Sequence, residues 1–164
     1  FTRIEGGTLK FREEEYNINE LIKEVTEEMQ RTAPKHKIIK KLSKPVKIVG
    51  DRYRTGQVLT NFISNAIKYS PAGKKIIVSS KSDTRNVTIS VEDFGIGIKE
   101  EMLKKVFDRF FRITHPTLNT FPGLGLGLYV AAEIVKRQGG KIWVKSVKGK
   151  GATSFISFPL KKGV

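Results

Sequence analysis

The sequence contains no cysteine, which excludes disulfides and thiolate metal sites. Its two histidines, His36 and His115, lie far apart and offer no zinc-binding spacing. Acidic residues are scarce beside basic ones, 16 against 31, for a net charge of +15. No stretch approaches the ~18 consecutive apolar residues that mark a membrane span. The phosphate-loop pattern GxxxxGK followed by Ser or Thr occurs nowhere. The dinucleotide fingerprint GxGxxG also fails, because Glu100 holds the sixth position after Gly95, and Val130 the sixth after Gly125. The opening Phe1-Thr2-Arg3-Ile4-Glu5 has neither a basic start nor an apolar run, so no signal peptide is expected. A start without methionine suggests a fragment.

What remains reads as one globular domain. The 164 residues suffice for a single core, and 38% hydrophobic with 29% charged residues is an ordinary globular composition. A chain without cysteine fits a cytoplasmic setting, whether or not a parent protein is anchored in the inner membrane. The excess of positive charge is spread along the whole chain. It suits a polyphosphate ligand, an acidic partner protein, an anionic membrane surface or nucleic acid, with nucleic acid the least expected.

Hydrophobic periodicity lays out the elements. Thr8 to Arg12 reads as a short strand. Ile18, Leu21, Ile22, Val25 and Met29 recur at three and four, the spacing of an amphipathic helix, with Asn17 or Asn19 as its cap and Ala33-Pro34 as its stop. Ile38 to Leu42 and Val46 to Val49 read as strands. Asp51 caps a second helix that buries Val58, Leu59, Phe62, Ile63, Ala66 and Ile67 and ends at Ser70-Pro71-Ala72-Gly73. Strands follow at Lys75 to Ser80 and Val87 to Glu92, then a short helix from Lys99 to Val106. Asp108 to Pro122 has no period and is expected to be a long loop. A third helix from Gly125 to Gln138 and a hairpin, Lys141 to Val147 with Ala152 to Phe158, complete the chain. The expected fold is an α/β two-layer sandwich, a mixed, mostly antiparallel sheet with three main helices on one face and strands from both ends of the chain in one sheet.

Four segments carry candidate chemistry. On the second helix Asn61, Asn65 and Lys68 share one side, with Tyr69 one residue off the row. Carboxamide oxygens suit a hard cation such as magnesium, and a lysine neutralises phosphate. Next, a strand ends in Glu92-Asp93 and runs into Gly95-x-Gly97-Ile98, where glycines admit a ligand close to the backbone. Then Gly123-Leu124-Gly125-Leu126-Gly127-Leu128 leads into a helix N-terminus, whose unpaired amides suit an anion. Last, Gly149-Lys150-Gly151 turns the final hairpin ahead of Thr153.

Taken in order, these segments resemble the ATP-binding catalytic domain of sensor histidine kinases, a branch of the superfamily that includes gyrase-type topoisomerases, Hsp90 chaperones and MutL proteins. The resemblance runs from about Arg3 to Leu160. It implies a Bergerat-type fold with ATP and magnesium as cofactors. It assigns magnesium to Asn65 with support from Asn61, phosphate to Lys68, adenine packing to Tyr69 and the adenine amine to Asp93. Gly95, Gly97 and Ile98 would line the same pocket. Val106 to Arg112 resembles the phenylalanine box, so Phe110 would join the nucleotide site and Arg109 and Arg112 would reach the γ-phosphate. Gly123, Leu124, Gly125, Leu126, Gly127 and Leu128 would form the phosphate end of a lid, and Thr153 would close the site. Residues 1–9 resemble the tail of a dimerisation helix and linker, and residues 10–164 the catalytic domain.

The same resemblance implies γ-phosphoryl transfer to a histidine on a separate dimerisation domain, a response regulator downstream, a homodimeric parent and a monomeric isolated domain. His36 and His115 lack the surroundings of a phosphoacceptor. A serine-directed kinase, an ATPase of the same superfamily and a degenerate binding module are the alternatives. Asparagine at 61, where hydrolytic relatives carry glutamate, favours transfer over hydrolysis.

Overall fold

A computed structural model describes residues 10–70, 74–108 and 126–161. The elements are β1 (Glu14–Asn17), α1 (Ile18–Thr32), β2 (Lys37–Lys41), β3 (Lys47–Gly50), α2 (Arg52–Tyr69), β4 (Lys75–Ser82), β5 (Asn86–Asp93), α3 (Glu100–Leu103), α4 (Leu126–Arg137), β6 (Lys141–Val147) and β7 (Gly151–Pro159). Five strands form one sheet in the order β2-β4-β5-β7-β6, with β2 parallel to β4 and every other pair antiparallel. The expected mixed, mostly antiparallel sheet is present, and the chain's two halves share it.

Two boundaries differ from the sequence reading. The first described strand lies at Glu14–Asn17 and pairs with β3 in a separate two-stranded sheet; of the expected strand Thr8 to Arg12, residues 10–12 carry no strand, and Thr8 and Leu9 lie outside the described residues. Burial decides this: Tyr16 opposite Ile48 enters the core, whereas Arg12 lends its amide to the Asp51 carboxylate at 2.7 Å. The short helix expected from Lys99 to Val106 keeps only Glu100–Leu103, because no side chain caps it and none of its residues is buried. The expected loop and the glycines before α4 lie outside the described residues, apart from Asp108.

The core joins the helices to one face of the sheet. Ile18, Leu21, Ile22 and Val25 of α1, Val58, Leu59, Phe62, Ile63 and Ala66 of α2, and Ala131, Ile134 and Val135 of α4 all enter it. They meet Ile76 and Val78, Val87, Ile89 and Val91, and Ile156 and Phe158, the alternate positions of β4, β5 and β7. Asn17 is the cap of α1, its Oδ1 accepting from the Asn19 amide at 2.9 Å. Asn19 instead bridges the layers, donating to the Ser43 carbonyl and accepting from Ser80. Asp51 caps α2 by accepting from the Arg54 amide at 3.0 Å. Gln138, just past α4, accepts from the Asp51 amide at 2.7 Å and donates to Thr55, so the end of α4 is tied to the start of α2.

A groove of about 640 Å³ runs between α1 and α2 and reaches Asn61. Gly56 forms part of its floor. A Cβ there would meet only the Leu21 Cδ1, at 3.4 Å, an ordinary contact. Gly56→Ala is therefore expected to stabilise the domain by up to about 1 kcal/mol through helix propensity. Chemical denaturation would register this as a higher midpoint with an unchanged slope, and a lower midpoint would show that Leu21 cannot yield.

Candidate nucleotide site

The second helix presents two faces. Its apolar residues at 58, 59, 62, 63 and 66 are buried, which turns Asn61, Asn65 and Lys68 outward at the helical spacing the sequence predicts. The Asn65 Nδ2 donates to the Asn61 Oδ1 at 3.1 Å. That bond orients both carboxamides and leaves the Asn65 carbonyl oxygen directed away from the pair. The Lys68 ammonium sits 5.4 Å from the Tyr69 ring centroid. Across from them α4 begins, and Gly127 lies so near Asn61 that a Cβ would fall 2.1 Å from its Nδ2.

Asp93 ends β5 and is buried. Its Oδ1 accepts from the Gly95 amide at 3.0 Å and the Ala152 amide at 3.3 Å. Burial raises its pKa above the usual carboxylate value. The two backbone amides oppose that shift, and neighbouring Glu92 adds to it. Both bonds fall on Oδ1, which leaves Oδ2 as the acceptor face of the carboxylate among the described residues.

Glycine allows the surrounding backbone to close in. A Cβ at Gly95 would lie 2.1 Å from the Tyr69 carbonyl, so the chain after β5 docks directly on the end of α2. The Ile96 amide donates to that same carbonyl. Gly97 and Gly151 have φ of 71° and 99°, a region that disfavours other residues, and Gly151 packs its α-carbon against the Asp93 carbonyl. The Ile98 amide donates to the Ser146 hydroxyl at 2.7 Å, and Ser146 donates on to the Gly151 carbonyl. The last hairpin, α2 and the glycine turn thus meet around one carboxylate.

Of the residues expected from sequence, Asn61, Asn65, Lys68 and Tyr69 come together on α2, with Gly127 facing Asn61. Asp93, Gly95, Gly97 and Ile98 assemble beyond the helix's C-terminal end. Leu126 and Leu128 lie in the first turn of α4. Thr153 is not brought to the site: it pairs with Glu92, so strand alternation turns it to the opposite sheet face while Ala152 sits beside Asp93. Arg109, Phe110, Arg112, Gly123, Leu124 and Gly125 lie outside the described residues. The sequence reading missed Ser146, which holds the Ile98 amide, and His36, whose Nε2 lies 2.9 Å from the Ser70 carbonyl at the end of α2. Nothing in sequence spacing signals either contact.

A helix-backed mixed sheet with an asparagine pair and a glycine-ringed buried carboxylate defines an ATP-binding α/β sandwich of the Bergerat type. The chain belongs to the family described as Histidine kinase-, DNA gyrase B-, and HSP90-like ATPase, whose profile matches residues 50–162. Its relatives place it among the histidine kinases. It is 43% identical over 114 residues to the sensor histidine kinase WalK of Bacillus subtilis, a match covering 68% of this chain and 19% of that protein. The chain thus spans about a fifth of the length of that relative. The catalytic domain of histidine kinase ThkA is 32% identical with a TM-score of 0.77, covering 91% of this chain and 98% of that one. ThkA has also been solved in complex with response regulator protein TrrA (30% identity, TM-score 0.75, 92% of this chain and 42% of that one). Full-length ShkA in complex with AMPPNP gives 25% identity and a TM-score of 0.81, covering 95% of this chain and 33% of that one.

Proposed function

We propose that the domain binds magnesium–ATP and transfers the γ-phosphoryl group to an imidazole nitrogen on a separate helical domain of its parent protein. In that step the bond from γ-phosphorus to the bridging oxygen breaks, a phosphorus–nitrogen bond forms and ADP leaves. The observation that carries this reading is the Asn61–Asn65 carboxamide pair at 3.1 Å, facing the start of α4. An amide cannot act as a general base at neutral pH, so Asn61 positions rather than activates water.

The donor set fits a hard cation. The Asn65 oxygen would hold magnesium, which supplies charge neutralisation at the phosphates. Lys68 adds a fixed positive charge, and the Asp93 Oδ2 would accept from the adenine amine. Tyr69 and Ile98 would flank the base. Arg109 and Arg112 are the proposed γ-phosphate contacts, with Phe110 and the segment 123–128 as the lid. Thr153 has no part in this reading, given its position on the far sheet face. Residues 1–9 are read as the end of the dimerisation helix and linker. A response regulator, by analogy with the ThkA complex, would take the phosphate onward. A cytoplasmic location is part of the same proposal.

The experiment supplies γ-labelled ATP and, in trans, the helical acceptor domain of the Bacillus subtilis relative. Acid-labile, alkali-stable label on that acceptor, with negligible steady-state hydrolysis by this domain alone, is expected. Rapid hydrolysis without transfer would overturn the reading in favour of an ATPase.

A further inference from the structure

Six of the basic residues that look scattered in sequence are brought to one face by the sheet. The core face of β4, β5 and β7 carries Ile76, Val78, Val87, Ile89, Val91, Ile156 and Phe158. The partner registers therefore send the intervening residues to the outer face. Lys37 and Lys41 of β2, Lys75 and Lys81 of β4, and Lys141 and Lys145 of β6 all project from it, and all are exposed. Glu92 is the one acidic strand residue on that face among the described residues. Among the helices, α1 is acidic, with Glu20, Glu24, Glu27 and Glu28 against Lys23 and Arg31, whereas α2 carries Arg52, Arg54 and Lys68 and no acidic residue.

The β7–β6 side of the face is built differently. Trp143 and Phe155 stack across β6 and β7 with centroids 5.1 Å apart and planes at 7°. The Lys145 ammonium lies 5.7 Å from the Phe155 centroid. Around them stand the hydroxyls of Ser79, Thr88, Ser90 and Ser157. Five strands spaced ~4.8 Å apart make a platform on the order of 20 Å across.

We propose that this outer face docks the domain on an anionic lipid surface. Lysines distributed over an open sheet rather than a cleft match a plane of headgroups, each contributing roughly 1 kcal/mol near such a surface. Their apolar stems lie along the sheet while the ammonium groups reach outward. A tryptophan–phenylalanine pair among them suits the headgroup boundary. Single-stranded nucleic acid fits less well. Base stacking needs an open ring face, whereas these rings face each other and Phe155 also has Lys145 close to its ring. An acidic protein partner is disfavoured because the lysines are spread across the open sheet rather than set around a pocketed apolar centre.

Trp143 is the only tryptophan in the chain, so its fluorescence reports on this face alone. The test titrates the domain with vesicles of phosphatidylglycerol and phosphatidylcholine, and with phosphatidylcholine alone. A blue-shifted, saturable response to the anionic vesicles only, weakened by added salt, is expected. Lys81→Glu/Lys141→Glu, at the end of the sheet away from Asp93, should weaken binding at least tenfold and leave ATP affinity unchanged. Lys23→Glu/Arg31→Glu, an equal charge change on α1, should bind as the wild type does. No response, equal loss in both double variants, or a response to an oligonucleotide or polyglutamate in place of vesicles would overturn the proposal. ATP binding in every variant separates that failure from failure of the kinase reading.

Discussion

Asp93→Asn is expected to lower ATP affinity about 10- to 100-fold, the loss of a charge-assisted hydrogen bond, while making the empty domain more stable at neutral pH. The geometry sets both effects. The Gly95 and Ala152 amides both donate to Oδ1, so an asparagine would keep its oxygen there. Its Nδ2 would then occupy the place of Oδ2, and a donor would face the donor amine of adenine. Titration calorimetry measures the loss directly, and undiminished binding would remove Asp93 from the site.

The stability effect follows from the direction of the pKa shift. Burial raises the Asp93 pKa above its ordinary 3.8, so the folded state holds the proton more tightly than the unfolded chain. That contribution is fully present below 3.8 and is lost as pH rises through the folded pKa. Asparagine has no such loss. The melting-temperature advantage of the variant should grow as pH rises through the carboxylate range and then level off. A constant difference across that range would mean that the carboxylate's charge has no part in it.

Gly127→Ala carries the second large effect, and here two physical rules oppose each other. Helix propensity favours alanine by about 1 kcal/mol. The new methyl, however, would lie 2.1 Å from the Asn61 Nδ2 and 2.6 Å from its Oδ1. The carboxamide is the end of a flexible side chain, so it can swing aside and the fold survives. Its bond to Asn65 does not. Magnesium-dependent ATP binding and phosphoryl transfer are expected to fall at least tenfold while the melting temperature hardly moves. Asn61→Ala should lose a comparable amount, and the double variant little more, because both remove the same arrangement. Additive losses would show that Gly127 and Asn61 act separately.

These effects mark what the sequence could and could not reveal. The asparagine row was legible because a helix converts spacing into position: with Val58, Leu59, Phe62, Ile63 and Ala66 buried, Asn61, Asn65 and Lys68 have one place to go. Asp93 was legible because glycines after a strand end signal close approach. Thr153 was misplaced because a hairpin's register, not its motif, decides which face a strand residue takes. One step along β7 exchanges Ala152 for Thr153 beside the carboxylate. The strand at Glu14 to Asn17 was missed because its local propensity differs little from that of its neighbours, and the pairing of Tyr16 with Ile48 decides it. The lysine-rich face was invisible for the same reason as Thr153. Residues from Lys37 to Lys145 come to share a face only when all five strands of the sheet find their partners.

The order of the strands also bears on how the molecule is made. The last of the described strands to be synthesised, β7, lies inside the sheet, bonded to β5 on one side and β6 on the other. A chain still attached to the ribosome cannot join β6 to the rest until β7 has left the exit tunnel. Until then β5 has an open edge, and the apolar faces of α2 and α4 lack Ile156 and Phe158 to pack against. Folding of this domain is therefore held back until its last described strand has been made. A nascent chain stalled before Gly151 should be readily cut by protease, and one stalled after Pro159 has emerged should resist it.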